Sequence, residues 1–279
     1  MSGKLYVIGT PIGNLGDFSQ RGIDTLKLVD FIAAEDTRVS VKLLNHFDIK
    51  KPMISYYEHN IRERSQIIVD RILAGESCAI VSDAGMPCVS DPGEDLVRLC
   101  HEFGIRVEPI PGPTAALTAL AASGQITSRF SFEGFLSTKT SSRKEHLEEV
   151  KNNTNTMIFY EAPHKLRKTL KDMYNVFGER SITIARELTK IHEEIFKINL
   201  SEAAVLYKNT EPRGEFVLII SGKPQETEVV VTLEEASIMV KKLTDNGINL
   251  KDAAKEIAKK TSFSKSELYR LYIEKEKGN

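Results

Sequence analysis

Leu5-Tyr6-Val7-Ile8 runs without a break into Gly9-Thr10-Pro11-Ile12-Gly13-Asn14-Leu15-Gly16-Asp17. The design recurs twice. Cys78–Val81 enters S-D-A-G-M-P-C-V-S-D-P-G (Ser82–Gly93), and Val107–Ile110 enters P-G-P-T-A-A (Pro111–Ala116). Glycine lets a backbone approach a ligand closely or take positive φ, and proline stiffens the loop around it. In open α/β sheets, ligands sit beyond the carboxyl ends of the strands. Three such loops in one half of a chain imply one ligand held mainly by main-chain atoms.

Outward from these loops, short apolar runs alternate with amphipathic ones. Strands are expected at Leu5–Ile8, Phe31–Ala34, Cys78–Val81 and Arg106–Pro109. Helices are expected at Gln20–Val29, Arg38–Phe47, Arg62–Ala74, Gly93–Phe103 and Thr114–Ala122. This is the rhythm of a mostly parallel sheet. A second set of strands follows at Ser131–Leu136, Thr156–Tyr160, Ser181–Arg186, Glu193–Ile198 and Phe216–Ile220, with helices near Ser141–Lys151 and His164–Phe177. Their spacing tightens after Ser181, which predicts antiparallel pairing there. Gln225–Val231 reads as a linker. Beyond it, Thr232 and Glu235 are spaced as a capping box, Leu250–Lys260 is amphipathic, and Ser264 can cap a helix over Lys265–Glu274. The last two helices look like a helix-turn-helix, with Lys265, Tyr269 and Arg270 available on the second and Leu268, Leu271 and Tyr272 turned inward. The expected domains are 1–123, 124–224 and 225–279, with a boundary near Ser123–Arg129.

The 279 residues carry a net charge of −1, 41% apolar and 28% charged residues, as in ordinary globular proteins. No run approaches the roughly 18 apolar residues of a membrane span, and the N-terminus lacks a signal-peptide core. Cys78, Cys88 and Cys100 form no C-x-x-C, so a cytoplasmic chain with reduced thiols and no metal site is expected. Charge is local: Lys139, Arg143, Lys144, Lys151, Lys165, Arg167, Lys168 and Lys171 crowd one segment. They form either a solvated helix face or a patch for a phosphate backbone.

The first loop is neither a Walker A motif, lacking G-K-[ST], nor G-x-G-x-x-G, since residue 11 is proline. Asp83, just past a strand, suits a ribose hydroxyl or an ammonium group. Asp91, before Pro92-Gly93, suits a helix cap or a ligand. Glu35-Asp36-Thr37-Arg38 admits two readings. Asp36 can cap a helix and pair with Arg38, or an acid can take a proton while the arginine holds a phosphate. A-R-E-L-T-K, at Ala185–Lys190, is a second charged group at a strand end. His164 reads as a surface helix residue.

The strings A-E-D-T-R, S-D-A-G-M-P, F-Y-E-A-P-H and A-R-E-L-T-K, with the three loops, resemble the tetrapyrrole methylase superfamily of S-adenosyl-L-methionine-dependent methyltransferases. Within it they are most similar to the branch that 2′-O-methylates a cytidine of small-subunit (16S) ribosomal RNA. The likeness spans Gly3 to Gly222, and the C-terminal helices resemble that branch's small appended domain. It implies a kidney-shaped pair of α/β domains with a cofactor cleft, a homodimer, a 30S-associated RNA substrate and no metal. Carried over by position, cofactor contacts fall on Pro11, Ile12, Asp83, Gly85, Met86, Thr114, Ala115, Tyr160, Glu161, Ala162 and Ala185. Glu35 or Asp36, with Glu187 as the alternative, would accept the proton. Arg38, Arg186 and Lys190 would hold flanking phosphates, and Lys139, Arg143 and Lys144 would extend the RNA contact. The segment S-T-K-T-S-S-R-K (Ser137–Lys144) departs from the branch, which has more arginine, lysine and proline there. Two other readings stay open: a tetrapyrrole or precorrin C-methyltransferase, and a non-catalytic nucleotide-sensing DNA regulator.

Overall fold

A computed structural model describes residues 3–224 and 231–277. The chain divides into two compact units, Met1–Lys223 and Pro224–Asn279. Apart from Val231, the expected linker Gln225–Val231 lies outside the described residues.

The first unit starts with β1 (Lys4–Ile8), α1 (Gln20–Leu28), β2 (Phe31–Ala34), α2 (Thr37–His46), β3 (Met53–Ser55), α3 (Ile61–Leu73), β4 (Cys78–Val81), α4 (Glu94–Glu102), β5 (Arg106–Ile110) and α5 (Ala115–Ala122). The strands form one sheet in the order β3-β2-β4-β1-β5, every pair parallel. Helices cover both faces, so β2 and β4 are buried along their whole length and read as unbroken apolar runs. Leu5, Phe31, Ile80 and Leu96 pack on one face, and Ile8, Leu26, Ile32 and Val81 on the other. The order has one consequence for function. The three strands that end in glycine and proline are the neighbours β4-β1-β5, with β2 and its Glu35–Arg38 segment alongside β4.

The unit continues with β6 (Phe130–Phe135), α6 (Thr140–Val150), β7 (Thr156–Glu161), α7 (Pro163–Phe177), β8 (Ser181–Arg186), β9 (Glu194–Asn199), α8 (Leu200–Asn209) and β10 (Phe216–Ile220). These strands form a second sheet, β6-β7-β10-β8-β9. Only β6 and β7 run parallel there; β10 pairs antiparallel with β7 and β8, and β9 antiparallel with β8, as the spacing after Ser181 implies. Period-two alternation splits its strands between two cores. Met157, Phe159, Ile184 and Leu218 face Leu147, Leu166 and Leu200 of α6–α8. Ile158, Ala185, Val217 and Ile219 face Ala116, Ala119 and Leu120 of α5 and Ile12 of the first loop. The alanine-rich α5 therefore joins the two sheets, its small side chains allowing close approach.

In the second unit, α9 (Leu233–Asp245), α10 (Leu250–Ala258) and α11 (Lys265–Lys277) enclose a core of Ala236, Val240, Ala253, Ala254, Ile257 and Leu268. The Thr232/Glu235 capping box forms in both directions. Ser264 caps α11 by accepting from the Glu267 N–H at 3.2 Å. Tyr272 packs against this core and meets Thr244 Oγ1 at 3.1 Å.

Candidate active site

The three loops lock together through their main chains. Thr10 N–H donates to Gly85 O at 2.8 Å, and Gly85 N–H returns a bond to Thr10 O at 3.1 Å. Gly9 N–H donates to Ile110 O at 3.3 Å. A Cβ at Gly112 would fall 2.5 Å from Gly9 O, so the first and third loops cross with no room for side chains. Pro11 and Met86 are half-buried beside this crossing, and Ile12 is buried under it. Tyr160 reaches over from the second sheet. Its hydroxyl accepts from Ala116 N–H at 3.1 Å and interacts with Thr114, so β7 fixes the first turn of α5 where Thr114 and Ala115 stand.

Four carboxylates line the ends of β2 and β4. Asp83 Oδ1 accepts from Asp36 N–H at 3.1 Å, and Glu35 Oε2 accepts from Asp83 N–H at 3.4 Å. Glu35 is pushed above the usual carboxylate range by burial and by Asp83 and Asp36. Burial, with help from Asp36, does the same to Asp83. Asp91 is pushed up to about 7 by burial and then by Glu35 and Asp83, while a bond from Ser82 works the other way. Asp36 is the exception, held at about 2 by the Arg38 guanidinium. It caps α2 by accepting from Arg38 N–H at 2.8 Å. The capping reading of Asp36 therefore holds, whereas that of Asp91 does not. The N-cap of α4 is Gly93, and no side chain bonds there.

On the second sheet, the Glu161 carboxylate is buried and engaged. It accepts from Ala162 N–H at 2.8 Å, from Thr169 Oγ1 and from Lys165 Nζ at 3.2 Å. Only its main chain, with that of half-buried Ala162, is left for a ligand. Ala185 is fully buried in the cluster beneath α5, level with Ile12. Glu187 takes a left-handed φ of 50° and accepts from Lys190 Nζ at 2.9 Å and Glu215 N–H at 3.0 Å. The Lys190 bond holds its carboxyl below the usual range.

Among the expected RNA cations, Arg143 is corrected. It is 4% exposed, and its guanidinium is turned inward onto Asp172 at 2.7 Å and the carbonyls of Ser137 and Thr138. A charge run on α6 hid a buried ion pair. Arg186 pairs with Glu194 at 2.9 Å, and Lys190 with Glu187 and Glu215. Lys139 and Lys144 are exposed, and Arg38 stands in solvent with 88% of its side chain accessible. His164 is exposed on α7. The residue underrated by the sequence reading is Asp91, whose D-P-G context imitates a cap.

The glycine crossing suits a ligand held by main-chain atoms, and the acid wall suits one carrying positive charge. S-adenosylmethionine has both properties, so the residues present fit it. Among the described residues, no His, Cys, Asp and Glu cluster is arranged to hold a metal ion. No helix among them is long and apolar enough to cross a membrane.

Residues 4–204 match the family model of tetrapyrrole (corrin/porphyrin) methylases. Solved structures of the same fold include a cobalt precorrin-4 methyltransferase, at 17% identity and TM-score 0.59, covering 78% of this chain and 94% of that one. A diphthine synthase aligns at 14% identity and TM-score 0.60, covering 78% and 90%. The chain belongs to the tetrapyrrole methylase family, with two α/β sheets and a helical C-terminal part. Among its relatives, a protein named ribosomal RNA small subunit methyltransferase I from Synechocystis is 45% identical, covering 98% of this chain and 99% of the relative. Proteins of the same name from Halalkalibacterium halodurans and Haemophilus influenzae are 44% and 43% identical, each over 97% of this chain and over 94% and 96% of their own lengths.

Proposed function

We propose that this protein is a methyltransferase that uses S-adenosyl-L-methionine to methylate the ribose 2′-hydroxyl of a cytidine in small-subunit (16S) ribosomal RNA. The observation that carries the reading is near-full-length identity to relatives of that name, joined to an acid wall beside a main-chain cradle. When bound, the cofactor supplies a methyl group on a cationic sulfur leaving group. Everything else falls to the chain. The crossing at Gly9 and Gly112, with Pro11, Ile12, Gly85, Met86, Thr114 and Ala115 around it, orients the donor. Asp83 would offset its positive charge. Such positioning supplies roughly 7–11 kcal/mol of barrier reduction.

A ribose hydroxyl is a weak nucleophile at neutral pH, and a base adds about 10²–10⁴-fold. Glu35 takes that proton in our reading. Asp36 and Glu187 are both held ionised by cations, which makes them poor bases. Burial, with Asp83 and Asp36, keeps the proton affinity of Glu35 high, and the Glu35 charge in turn raises that of Asp91. Arg38, Lys139 and Lys144 offer the phosphate contacts, and Arg186 and Lys190 could join only by exchanging their present partners. In the second unit, Lys251, Lys265 and Tyr269 line one depression with Ser264 and Ser266, which supports RNA docking there. A cytoplasmic homodimer acting on the 30S particle completes the proposal. Exposed Leu117, Ile126 and Phe130 supply apolar surface for a second copy.

The test is label transfer from S-adenosylmethionine to 30S subunits, naked rRNA, uroporphyrinogen or DNA. Label is expected in rRNA and in an alkali-resistant dinucleotide, since a 2′-O-methyl blocks hydrolysis of its own linkage. Label in uroporphyrinogen, or in rRNA nucleotides that alkali still releases singly, would overturn the reading.

A further inference from the structure

Phe132 and Phe135 lie three positions apart on β6, where a regular strand turns them to opposite faces. Here they share one. The register runs Phe132↔Ile158, Gly134↔Phe159 and Phe135↔Tyr160, so Glu133 is an extra residue in a β-bulge. Gly134 carries the left-handed φ of 63° that the bulge needs. Both phenylalanine rings consequently meet Tyr160, at centroid distances of 5.0 and 5.4 Å.

Phe132 packs into the cluster beneath α5, but Phe135 remains 55% exposed. Burial therefore does not explain why the strand is bent to bring Phe135 to this face. The ring is fixed in place. Lys165 Nζ lies 5.3 Å from its centroid, and Lys165 is itself tied to Leu136 O at 3.1 Å and Glu161 at 3.2 Å. The bulge also abuts the second loop. A Cβ on Gly134 would lie 3.4 Å from Ser90 Oγ, one residue before Asp91. Asp91 in turn feels the charge of Glu35 and acts electrostatically on Tyr160. The exposed ring therefore stands on an edge strand, beside the Asp91 end of the β4 loop.

We propose that Phe135 is a positioning residue on which the base of the accepting nucleotide stacks, so that its ribose turns toward Glu35. The inference rests on the RNA reading above. A nucleotide drawn out of its own stack loses base–base contact, and an aromatic face replaces it. Stacking of this kind changes affinity by about 5- to 100-fold per base. The cofactor's adenine is the other candidate occupant, and the response to S-adenosylhomocysteine alone distinguishes the two.

The chain contains no tryptophan, so Phe135→Trp places a single indole reporter at the platform. Its fluorescence is expected to fall when a naked 16S rRNA transcript is added and to stay unchanged with S-adenosylhomocysteine alone. Phe135→Ala is expected to raise KM for 30S subunits about 5- to 100-fold, leave the Kd for S-adenosylmethionine unchanged, and be rescued by Phe135→Trp. Quenching by S-adenosylhomocysteine alone would assign the ring to the cofactor and overturn the proposal. So would an unquenched indole on a variant that retains the transcript on a filter, or a wild-type KM in Phe135→Ala. If the wild-type protein neither retains rRNA nor labels it, the underlying RNA reading fails instead.

Discussion

Glu35 and Asp36 are adjacent in sequence and opposite in electrostatics. Asp36 accepts two guanidinium bonds from Arg38 at 3.0 and 2.6 Å, which stabilises its charge. Glu35 is partly buried, has no cation among its described partners and faces two other carboxylates, so its proton is held more tightly. Glu35→Gln is expected to lower kcat by about 10²–10⁴-fold with unchanged cofactor Kd, whereas Glu187→Gln should cost far less. Single-turnover methylation of 30S subunits separates the two, and equal losses would remove Glu35 from its role. Asp91 gives a prediction in stability. Its proton affinity is higher folded than unfolded, so the folded state is penalised as pH rises from about 4 toward about 7. Asp91→Asn lacks that penalty, and its Tm should gain on the wild type between pH 4 and pH 8. A constant Tm difference would contradict the raised value. Arg143→Ala should cost about 3–5 kcal/mol in denaturant unfolding, because Asp172 is left buried without its partner. These three residues also mark how far a sequence carries. The acid-rich strand ends were legible at Glu35–Arg38 because catalytic residue types stood where sheet topology puts ligands. Asp91 and Arg143 were misread because their surroundings are set by residues remote in sequence: the charge of Glu35 acts on one, and Asp172 pairs with the other.

At the scale of elements, the loop after β1 and the loop after β5 depend on each other. Gly112 could carry a side chain only by pushing against Gly9 backbone, which is itself bonded to Ile110. Gly112→Ala should therefore part the two loops and weaken S-adenosylmethionine binding at least tenfold by calorimetry, while the β4 loop keeps its bridge to Thr10. Unchanged affinity would mean that the crossing is not part of the cradle. The strands and loops that make this crossing could be read from residues alone, because apolar runs and glycine-proline stops are local signals. Two elements could not. β3 has only three residues, too few for a period. α8 was hidden by the closeness of β9, although Asn199 and Glu202 spell the capping box that opens it. The bulge in β6 was also illegible, since it breaks the very alternation from which strand faces are inferred.

At the scale of the molecule, a chain of net charge −1 must bind a polyanion through local patches, and their placement on two separate units can be tested by division. The first unit contains the complete cradle, the acid wall and its own cores, so removal of Thr232–Asn279 should leave cofactor Kd unchanged. The second unit carries Lys251, Lys265 and Arg270, with Arg270 reaching Glu274 only at 3.8 Å. Each cation that neutralises a phosphate contributes about 0.7–0.9 to the slope of log affinity against log salt. Loss of all three should flatten that slope by about 2–3 and raise KM for 30S subunits most at low salt. Substituting Lys251, Lys265 and Arg270 with alanine in the intact chain should give the same slope, which separates a charge effect from a merely truncated protein. If the truncated enzyme keeps both slope and KM, the terminal helices do not touch RNA. The exposed cations of the first unit, Arg38, Lys139 and Lys144, must then hold the substrate alone.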